Sequence, residues 1–97
     1  MTDLAATRLL VRGRVQGVGY RAWLVREADG RGLRGWVRNR LDGSVEALVF
    51  SPAPTLADFL AACRMGPAAA NVTEVTVQEE AVPAAEAFGD FAIWPTA

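Results

Sequence analysis

Residues 8–21 read RLLVRGRVQGVGYR and join a strand pattern to a helix pattern through a glycine-bearing loop. Apolar residues alternate with arginines over 8–15, which predicts a half-buried strand. Residues 16–19 form the loop, and a helical pattern runs from about Arg21 to Arg31, where nearby glycines end it. The side chains predicted to face the core are Leu9, Val11 and Val15 on the strand, and Ala22, Val25 and Ala28, with Leu24 beside them, on the helix. The fold is therefore expected to begin with a strand–loop–helix unit.

A β-hairpin is predicted in the middle of the chain. Residues 33–41 and 44–50 carry strand patterns and flank the dipeptide Asp42-Gly43. This dipeptide is typical of a type I′ turn, because both residues tolerate positive φ angles. The two strands are therefore expected to pair as antiparallel neighbours.

A second helix follows the hairpin. Thr55 is a residue type that caps helices, Asp58 lies three positions later, and apolar residues at helical spacing continue to Gly66-Pro67. The apolar stripe of this helix consists of Leu56, Phe59, Leu60 and Cys63. Its spacing predicts an amphipathic helix that buries the stripe, including the cysteine.

Residues 72–78 and 88–94 have the patterns of two C-terminal strands, and the Ala/Pro-rich stretch 81–87 between them is predicted to be a loop. The order of elements is then β-α-β-β-α-β, with a short last strand or edge. This order predicts an α+β ferredoxin-like sandwich, in which one antiparallel sheet carries two helices on one face. Ninety-seven residues form one domain of ordinary size, so a single domain is predicted over 1–97.

The composition excludes several kinds of catalytic site. The chain has no histidine and one cysteine, and all ten of its basic residues are arginine. A Ser–His–Asp or Cys–His arrangement needs an imidazole, and zinc sites need histidine or several cysteines. A P-loop or a Schiff base needs lysine, and a disulfide needs a second cysteine. An enzyme with this composition works with arginine, carboxylates, amides, hydroxyls and backbone N–H groups.

Charge is distributed unevenly along the chain. The net charge is −1, but residues 1–50 carry nine arginines and five acidic residues, whereas residues 51–97 carry one arginine and six acidic residues. A positive first half in an acidic protein favours a local anion site. The sequence has neither an N-terminal export signal nor an apolar run of about 18 residues, so we expect a cytoplasmic protein without a membrane segment.

The strand–loop–helix junction has the properties of an anion site. Backbone N–H groups without partners cluster at the start of a helix, and the helix dipole adds partial positive charge. Gly17 and Gly19 let the backbone approach a ligand, and the guanidinium of Arg21 can form paired hydrogen bonds to the same anion. Such junctions are also common structural elements, and this one matches neither the dinucleotide-binding nor the Walker A pattern. The residues alone leave a phosphate site and a plain connection both open.

Asn39 is the second candidate site residue. It lies near the end of the predicted strand 33–41, and strand alternation places it on the same face as Val37 and opposite Trp36 and Arg38. An asparagine amide offers one acceptor and two donors. An asparagine before a hairpin also serves as turn chemistry, so both interpretations stay open.

Two segments together resemble the signatures of the acylphosphatase family. Residues 13–21, GRVQGVGYR, are similar to the first signature, G-x-V-Q-G-V-x-[FY]-R, and residues 35–39, GWVRN, to the second, G-W-V-x-N. The continuation at 42–46 and the Gly-Pro at 66–67 also resemble the family, so the resemblance covers roughly 7–94. It implies a small ferredoxin-like hydrolase of acyl phosphates that uses no cofactor and no metal ion.

The resemblance also implies residue roles. Arg21 matches the arginine that binds the substrate phosphate, and Asn39 matches the asparagine that orients the attacking water. The loop whose backbone N–H groups surround the phosphate is matched by Gln16, Gly17, Val18, Gly19 and Tyr20. The chain departs from the common pattern at Arg40-Leu41, where members often have Leu-Pro, and at Ile93-Trp94, where Ile-Arg is commoner. Both departures concern the hairpin and the sheet edge rather than the proposed site.

Three other interpretations compete with a free-standing enzyme. A sheet face with Trp36 between Arg34 and Arg38 could stack nucleic-acid bases, although the net charge is negative. An anion-sensing module would bind phosphate without turnover, and a similar domain occurs within a larger carbamoyl-transfer maturation protein. Because the chain ends at 97, we expect a free-standing enzyme. The negative net charge argues against nucleic-acid binding, and a monomer is the simpler expectation. Trp23 and Trp36 either pack around the helix or line the cleft.

Overall fold

A computed structural model describes residues 5–80 and 91–97 of the chain. Within these ranges the strands are β1 (Ala5–Arg14), β2 (Arg34–Asn39), β3 (Val45–Ser51), β4 (Asn71–Glu80) and β5 (Ala92–Ile93), and the helices are α1 (Tyr20–Gly30) and α2 (Ala53–Met65). The predicted order of elements is confirmed. The predicted loop 81–87 and the first three residues of the predicted strand 88–94 lie outside the described residues.

The strands form one sheet in the order β4-β1-β3-β2-β5. The first four are antiparallel neighbours, but β5 pairs with β2 in parallel through Trp36–Ala92 and Val37–Ile93. The α+β class is confirmed, whereas the prediction of a purely antiparallel sheet is wrong at this edge. Strand β4 lies at the edge of the sheet beside β1. The chain then reaches the opposite edge, where β5 lies beside β2 and runs in the same direction.

Both helices pack on the same face of the sheet, as predicted. The core between the sheet and the helices consists of buried side chains from both layers: Leu9, Val11, Val15, Tyr20, Leu24, Ala28, Leu33, Val37, Val45, Ala47, Val49, Phe59, Cys63 and Phe91. The strand alternation is confirmed, because Val37 lies in this core and Trp36 lies on the opposite face. Burial of Cys63 raises the pKa of its thiol to about 12. Its position on the buried stripe of α2 is as expected.

The buried row of α1 differs from the predicted one. Tyr20, Leu24 and Ala28 are buried, whereas Ala22 is exposed and Val25 is only half-buried. The hydroxyl of Tyr20 donates a 2.7 Å hydrogen bond to the backbone oxygen of Cys63 in α2. This bond and the size of the Tyr20 ring fix the rotation of α1, a constraint that apolar spacing alone does not contain.

Helix α2 begins earlier than predicted. Its N-cap is Pro52 rather than Thr55, and its first backbone hydrogen bond runs from the N–H of Leu56 to the oxygen of Pro52 at 3.0 Å. Proline fits the first turn because its fixed φ suits a helix and a first-turn N–H needs no intrahelical acceptor. Pro54 therefore lies in the first turn of α2, and the helix begins before Thr55, the residue predicted to cap it.

The hairpin between β2 and β3 is confirmed, but its turn is not type I′. That turn needs positive φ at both Asp42 and Gly43, and only Gly43 has it, at 93°. A hydrogen bond of 3.1 Å from the N–H of Gly43 to the oxygen of Arg40 closes a β-turn over residues 40–43, and the N–H of Arg40 donates a 2.8 Å hydrogen bond to the oxygen of Ser44. Asp42 accepts hydrogen bonds from the hydroxyl and the N–H of Ser44, which lower the pKa of Asp42. The side chain of Asp42 thus stabilises a turn in which Asp42 itself keeps negative φ.

A buried carboxylate organises the face of the sheet that the helices leave open. Glu46 is 4% exposed and pairs with Arg8, with Arg38 at 2.7 Å and with Arg40 at 3.1 Å. Burial raises the pKa of Glu46, but the hydrogen bonds from Arg38 and Arg40 and the charges of Arg38 and Arg8 outweigh it, so its pKa lies below the ordinary value. The ionised form of Glu46 is therefore the one that the fold stabilises.

This network predicts a pH-dependent stability. The pKa of Glu46 is lower in the folded chain than in the unfolded chain. Its contribution to the free energy of unfolding is therefore fully present above the ordinary glutamate pKa and is lost as the pH falls through the pKa of the folded state. Glu46→Gln should lower the free energy of unfolding by about 2 kcal/mol at neutral pH, because a nearly buried ion pair loses its anion. Denaturant titrations across acid pH should show the two proteins converging, while Glu79→Gln on exposed β4 behaves like wild type. If the difference in unfolding free energy between wild type and Glu46→Gln did not narrow at acid pH, the pH dependence could not be assigned to Glu46.

Candidate active site

A pocket of about 210 Å³ opens where the loop after β1 meets the end of β2 and the edge strand β5. It is lined by Val15, Gly17, Gly19, Tyr20, Arg21, Ala22, Asn39 and Ile93. Arg21 belongs to the first turn of α1, and Asn39 is the last residue of β2. The pocket thus brings together the two segments that carry the predicted site residues. It has room for a small anion together with water, since one water takes about 30 Å³ of the liquid.

The loop leading into α1 presents backbone N–H groups to this pocket. Gly17 and Gly19 have φ angles of 74° and 80°, a left-handed conformation that L side chains rarely adopt. A Cβ at either position would meet open space, so the need for glycine is conformational rather than steric. The first intrahelical bond runs from Trp23 to the oxygen of Gly19 at 3.0 Å, which leaves the N–H groups of residues 20–22 without helical acceptors. These donors and the helix dipole make this end of the pocket attractive to an anion.

Arg21 is the cationic side chain of the pocket. Several arginines are paired with carboxylates in the described part of the chain, among them Arg8, Arg12, Arg31, Arg38 and Arg40. Arg21 is half-buried and, within residues 5–80 and 91–97, makes neither an ion pair nor a side-chain hydrogen bond. Its guanidinium is available to an anion bound at the helix terminus.

Asn39 contributes an unpaired polar atom. Its Oδ1 is buried and makes no hydrogen bond to any residue that the structure describes. Its backbone is fixed on both sides, because it pairs with Val45 of β3 and its oxygen accepts a 3.1 Å hydrogen bond from the N–H of Ala97. A buried polar atom without a partner in a pocket wall is a site for a water or a ligand donor.

A second depression of about 200 Å³ lies beside the hairpin and is lined by Arg12, Gly13, Asp42, Gly43 and Ser44. Its wall includes a carboxylate, and it contains none of the residues predicted to bind phosphate. The pocket at Arg21 and Asn39 is therefore the better anion site of the two.

The family model described as acylphosphatase matches residues 7–93 of the chain. The chain belongs to the acylphosphatase family. An acylphosphatase of Rhodopseudomonas palustris (strain BisB5) is 58% identical over 72 residues, which cover 74% of this chain and 73% of the relative. One of Nitrobacter hamburgensis is 54% identical over 82 residues, with 84% and 83% covered. The crystal structure of acylphosphatase from Bacillus subtilis has a TM-score of 0.86 and 41% identity, and the match covers 93% of this chain and 98% of that one.

The two signature segments of this acylphosphatase family member meet in the pocket, but not every predicted residue lines it. Gly17, Gly19, Tyr20 and Arg21 do, whereas Gln16 and Val18 are not among the lining residues. Val18 packs its side chain against the core. The Tyr20 ring is buried and its hydroxyl bonds to α2, and burial raises the pKa of that hydroxyl. Tyr20 therefore reaches the pocket as part of the helix terminus, with its hydroxyl engaged elsewhere.

The side chain of Gln16 faces the hairpin. Its Nε2 donates hydrogen bonds to the oxygen of Arg40 at 2.7 Å and to the oxygen of Ser44 at 2.9 Å. The predicted role of Gln16 concerned its backbone, and the sequence contained no indication of this side-chain contact. It links the start of the loop at residues 16–19 to the turn that follows Asn39.

Three lining residues of the acylphosphatase pocket were missed by the sequence analysis: Val15, Ala22 and Ile93. Ile93 is 50% exposed and pairs with Val37, so it lies on the helix side of the sheet beside the end of β2. The alternation of the last strand could have indicated this face, but not its parallel partner. Neither tryptophan in question lines the pocket, since Trp23 packs at 5.3 Å against the Tyr20 ring and Trp36 lies across the sheet.

The described residues of this family member contain neither a cluster of metal ligands nor a membrane-spanning helix. Among the described residues there is no group of three or more His, Cys, Asp or Glu side chains placed to hold a metal ion. No helix in the same ranges combines the length and apolar character needed to cross a membrane.

Proposed function

We propose that this chain hydrolyses the carboxyl–phosphate bond of acyl phosphates in the pocket between α1 and β2. The phosphate is held by Arg21 and by the backbone N–H groups of the 16–21 loop, and the attacking water is oriented by Asn39. The observation that carries the proposal is the placement of a free guanidinium and an unpaired buried amide oxygen in one pocket at a helix N-terminus. Family membership supports the reaction, and the geometry supports these residue roles.

Phosphate binding follows from the donors on the helix side. The N–H groups of residues 20–22 point along the helix axis toward the pocket, and Arg21 adds two parallel N–H donors. A phosphoryl group has three peripheral oxygens that such an array can satisfy. The same donors stabilise the negative charge that these oxygens carry in the transition state.

Water placement follows from Asn39 on the strand side. Its Oδ1 has no partner among the described residues and can accept a hydrogen bond from a water. A water held in this way lies beside the phosphorus rather than free in solvent. Holding the water in this position lowers the activation barrier, because less entropy is lost on the way to the transition state.

The leaving group of this reaction is a carboxylate, which departs without a general acid. Water oxygen forms a bond to phosphorus, the bond from phosphorus to the acyl oxygen breaks, and its electron pair leaves with the carboxylate. The conjugate acid of that carboxylate has a pKa of about 4, so no protonation is needed at neutral pH. The proton of the water passes to a phosphate oxygen, which yields inorganic phosphate and the free carboxylate.

The proposed reaction uses neither a cofactor nor a metal ion. Among the residues that the structure describes, the side chains that line the pocket include no carboxylate, imidazole or thiol, the groups that usually bind divalent cations in proteins. Hydrolysis of benzoyl phosphate should therefore be unchanged by a chelator. Loss of activity in the chelator that returns with added metal would contradict this part of the proposal.

The non-catalytic alternatives predict different results in the same assay. An anion sensor would bind inorganic phosphate without releasing benzoate. A nucleic-acid module would need an open aromatic face: Trp36 is 9% exposed and stacks on Trp94 at 4.3 Å, so Trp94, 42% exposed, is the ring that such a module would present to a base. Turnover of benzoyl phosphate together with no binding of single-stranded RNA at physiological salt would exclude both alternatives.

We further propose that the enzyme is a cytoplasmic monomer of one domain. The single cysteine is buried, so the chain has no exposed thiol for an interchain disulfide within the described residues. Light scattering after gel filtration tests the monomer directly. A mass of twice the chain would contradict it.

A further inference from the structure

We infer that the side chain of Gln16 is a positioning residue, which acts on turnover through Asn39 by holding the hairpin against the phosphate loop. This inference rests on the proposed function. It assigns to Gln16 a task beyond the backbone donor role that the family resemblance implies.

The contact is made by both amide hydrogens of one side chain. Gln16 Nε2 lies 2.7 Å from the oxygen of Arg40 and 2.9 Å from the oxygen of Ser44. These two oxygens are on opposite sides of the hairpin loop, and the N–H of Arg40 also bonds to Ser44 at 2.8 Å. The glutamine therefore closes the base of the loop, where the two strands separate.

The position of this contact in the chain gives it a catalytic consequence. Gln16 is the first residue of the phosphate loop, and Arg40 directly follows Asn39. Asn39 is also held by Val45 across the hairpin and by the N–H of Ala97 at its own oxygen. These other contacts fix Asn39 within the sheet, but Gln16 alone among them connects it to the loop that holds the phosphate.

The expected consequence is selective. Phosphate binds to the loop and Arg21, which do not depend on the position of the hairpin. The water must be placed relative to the phosphorus, so it depends on the distance between Asn39 and the loop. An error of about 1 Å in such placement can cost 10²-fold in rate. Loss of the Gln16 contact should therefore lower kcat and leave phosphate affinity nearly unchanged.

The test is a double-mutant cycle between Gln16→Met and Asn39→Ala, with Gln78→Met on exposed β4 as a matched control. The readouts are kcat for benzoyl phosphate, the inhibition constant of inorganic phosphate and the melting temperature. We expect Gln16→Met to lower kcat about 10- to 100-fold in the wild-type background. In the Asn39→Ala background it should have less than about a twofold further effect, and phosphate inhibition should stay within about twofold throughout.

Two results in kcat alone would overturn the inference while leaving the proposed function in place. One is an equal loss of kcat with and without Asn39, and the other is unchanged kcat in Gln16→Met. A rise in the phosphate inhibition constant that matches the loss of kcat would also reject it, because Gln16 would then act on phosphate binding. If Gln16→Met does not fold, Gln16→Asn, which keeps the amide but is one methylene too short, is measured in the same cycle. Inactivity of wild type and Gln78→Met would instead reject the proposed function, and this inference with it.

Discussion

Replacing Arg21 with alanine should reduce hydrolysis of benzoyl phosphate by at least about 10³-fold and weaken the inhibition by inorganic phosphate. Arg21 is the arginine that lines the pocket, and it has no carboxylate partner in the described part of the chain. Its removal deletes the pocket's cationic side chain and leaves only backbone dipoles to bind the phosphoryl oxygens. Because these oxygens carry charge in both the bound substrate and the transition state, binding and turnover should both suffer.

Arg26→Ala is the matched control for this experiment. Arg26 lies on the same helix, is exposed and does not line the pocket. The Arg26→Ala substitution removes the same charge and the same number of atoms from α1. The variant should therefore retain wild-type kcat and phosphate inhibition. Equal losses in Arg21→Ala and Arg26→Ala would mean that the charge of the helix matters rather than the contact in the pocket. Arg21→Ala with near-normal turnover would exclude Arg21 as the phosphate ligand.

Replacing Asn39 with alanine should lower kcat by about 10²- to 10³-fold, with the phosphate inhibition constant within about twofold of wild type. The substitution removes the amide from the strand side of the pocket, while the loop and Arg21 on the helix side stay in place. The variant therefore separates water placement from phosphate binding. Steady-state kinetics with benzoyl phosphate and with acetyl phosphate, combined with inhibition by inorganic phosphate, measure both effects.

Folding of the Asn39 variant is checked in the same series. The backbone hydrogen bonds of Asn39 do not involve its side chain, so the melting temperature of Asn39→Ala should change little. Asn71→Ala at the exposed start of β4 is the control for loss of an asparagine side chain. If Asn39→Ala kept its turnover, or if phosphate affinity fell in parallel with kcat, Asn39 would not be the residue that places the water.

Much of the fold follows from local sequence patterns. The alternation over 8–15 indicated which face of β1 packs against the helices, and this pattern holds because side chains of a strand alternate between its two faces. Strand β3 is buried on both faces, with Val45, Ala47 and Val49 in the core under the helices and Leu48 and Phe50 on the opposite face. What alternation does not contain is the pairing partner of a strand. The direction of β5 beside β2 depends on which sheet edge is free after β4 has paired with β1, and this is a property of the whole sheet.

The errors at the helix ends and the turn have local physical causes. At the start of α2, the proline in the first turn was a stronger start signal than the capping residue type of Thr55. At the hairpin, the side chain of Asp42 stabilised a turn that keeps its own φ negative. Both are cases in which two residue preferences compete, and the winner depends on the backbone on either side.

The site was predictable as far as the two motifs extend. They named Arg21 and Asn39, and the structure brings these residues into one pocket. The motifs do not show that the Gln16 side chain points away from that pocket, nor that Ile93 enters it from β5. Both facts depend on contacts between segments far apart in the chain, which no local pattern contains.

The central claim is that the pocket delivers water to phosphorus while Arg21 and the loop hold the phosphoryl oxygens. Hydrolysis of benzoyl phosphate in water enriched in heavy oxygen tests this claim most directly, because the label reports which atom the water attacks. The claim predicts the label in inorganic phosphate and none above the uncatalysed background in benzoate. Label in benzoate would show attack at the carbonyl carbon and would contradict the assignment of the site.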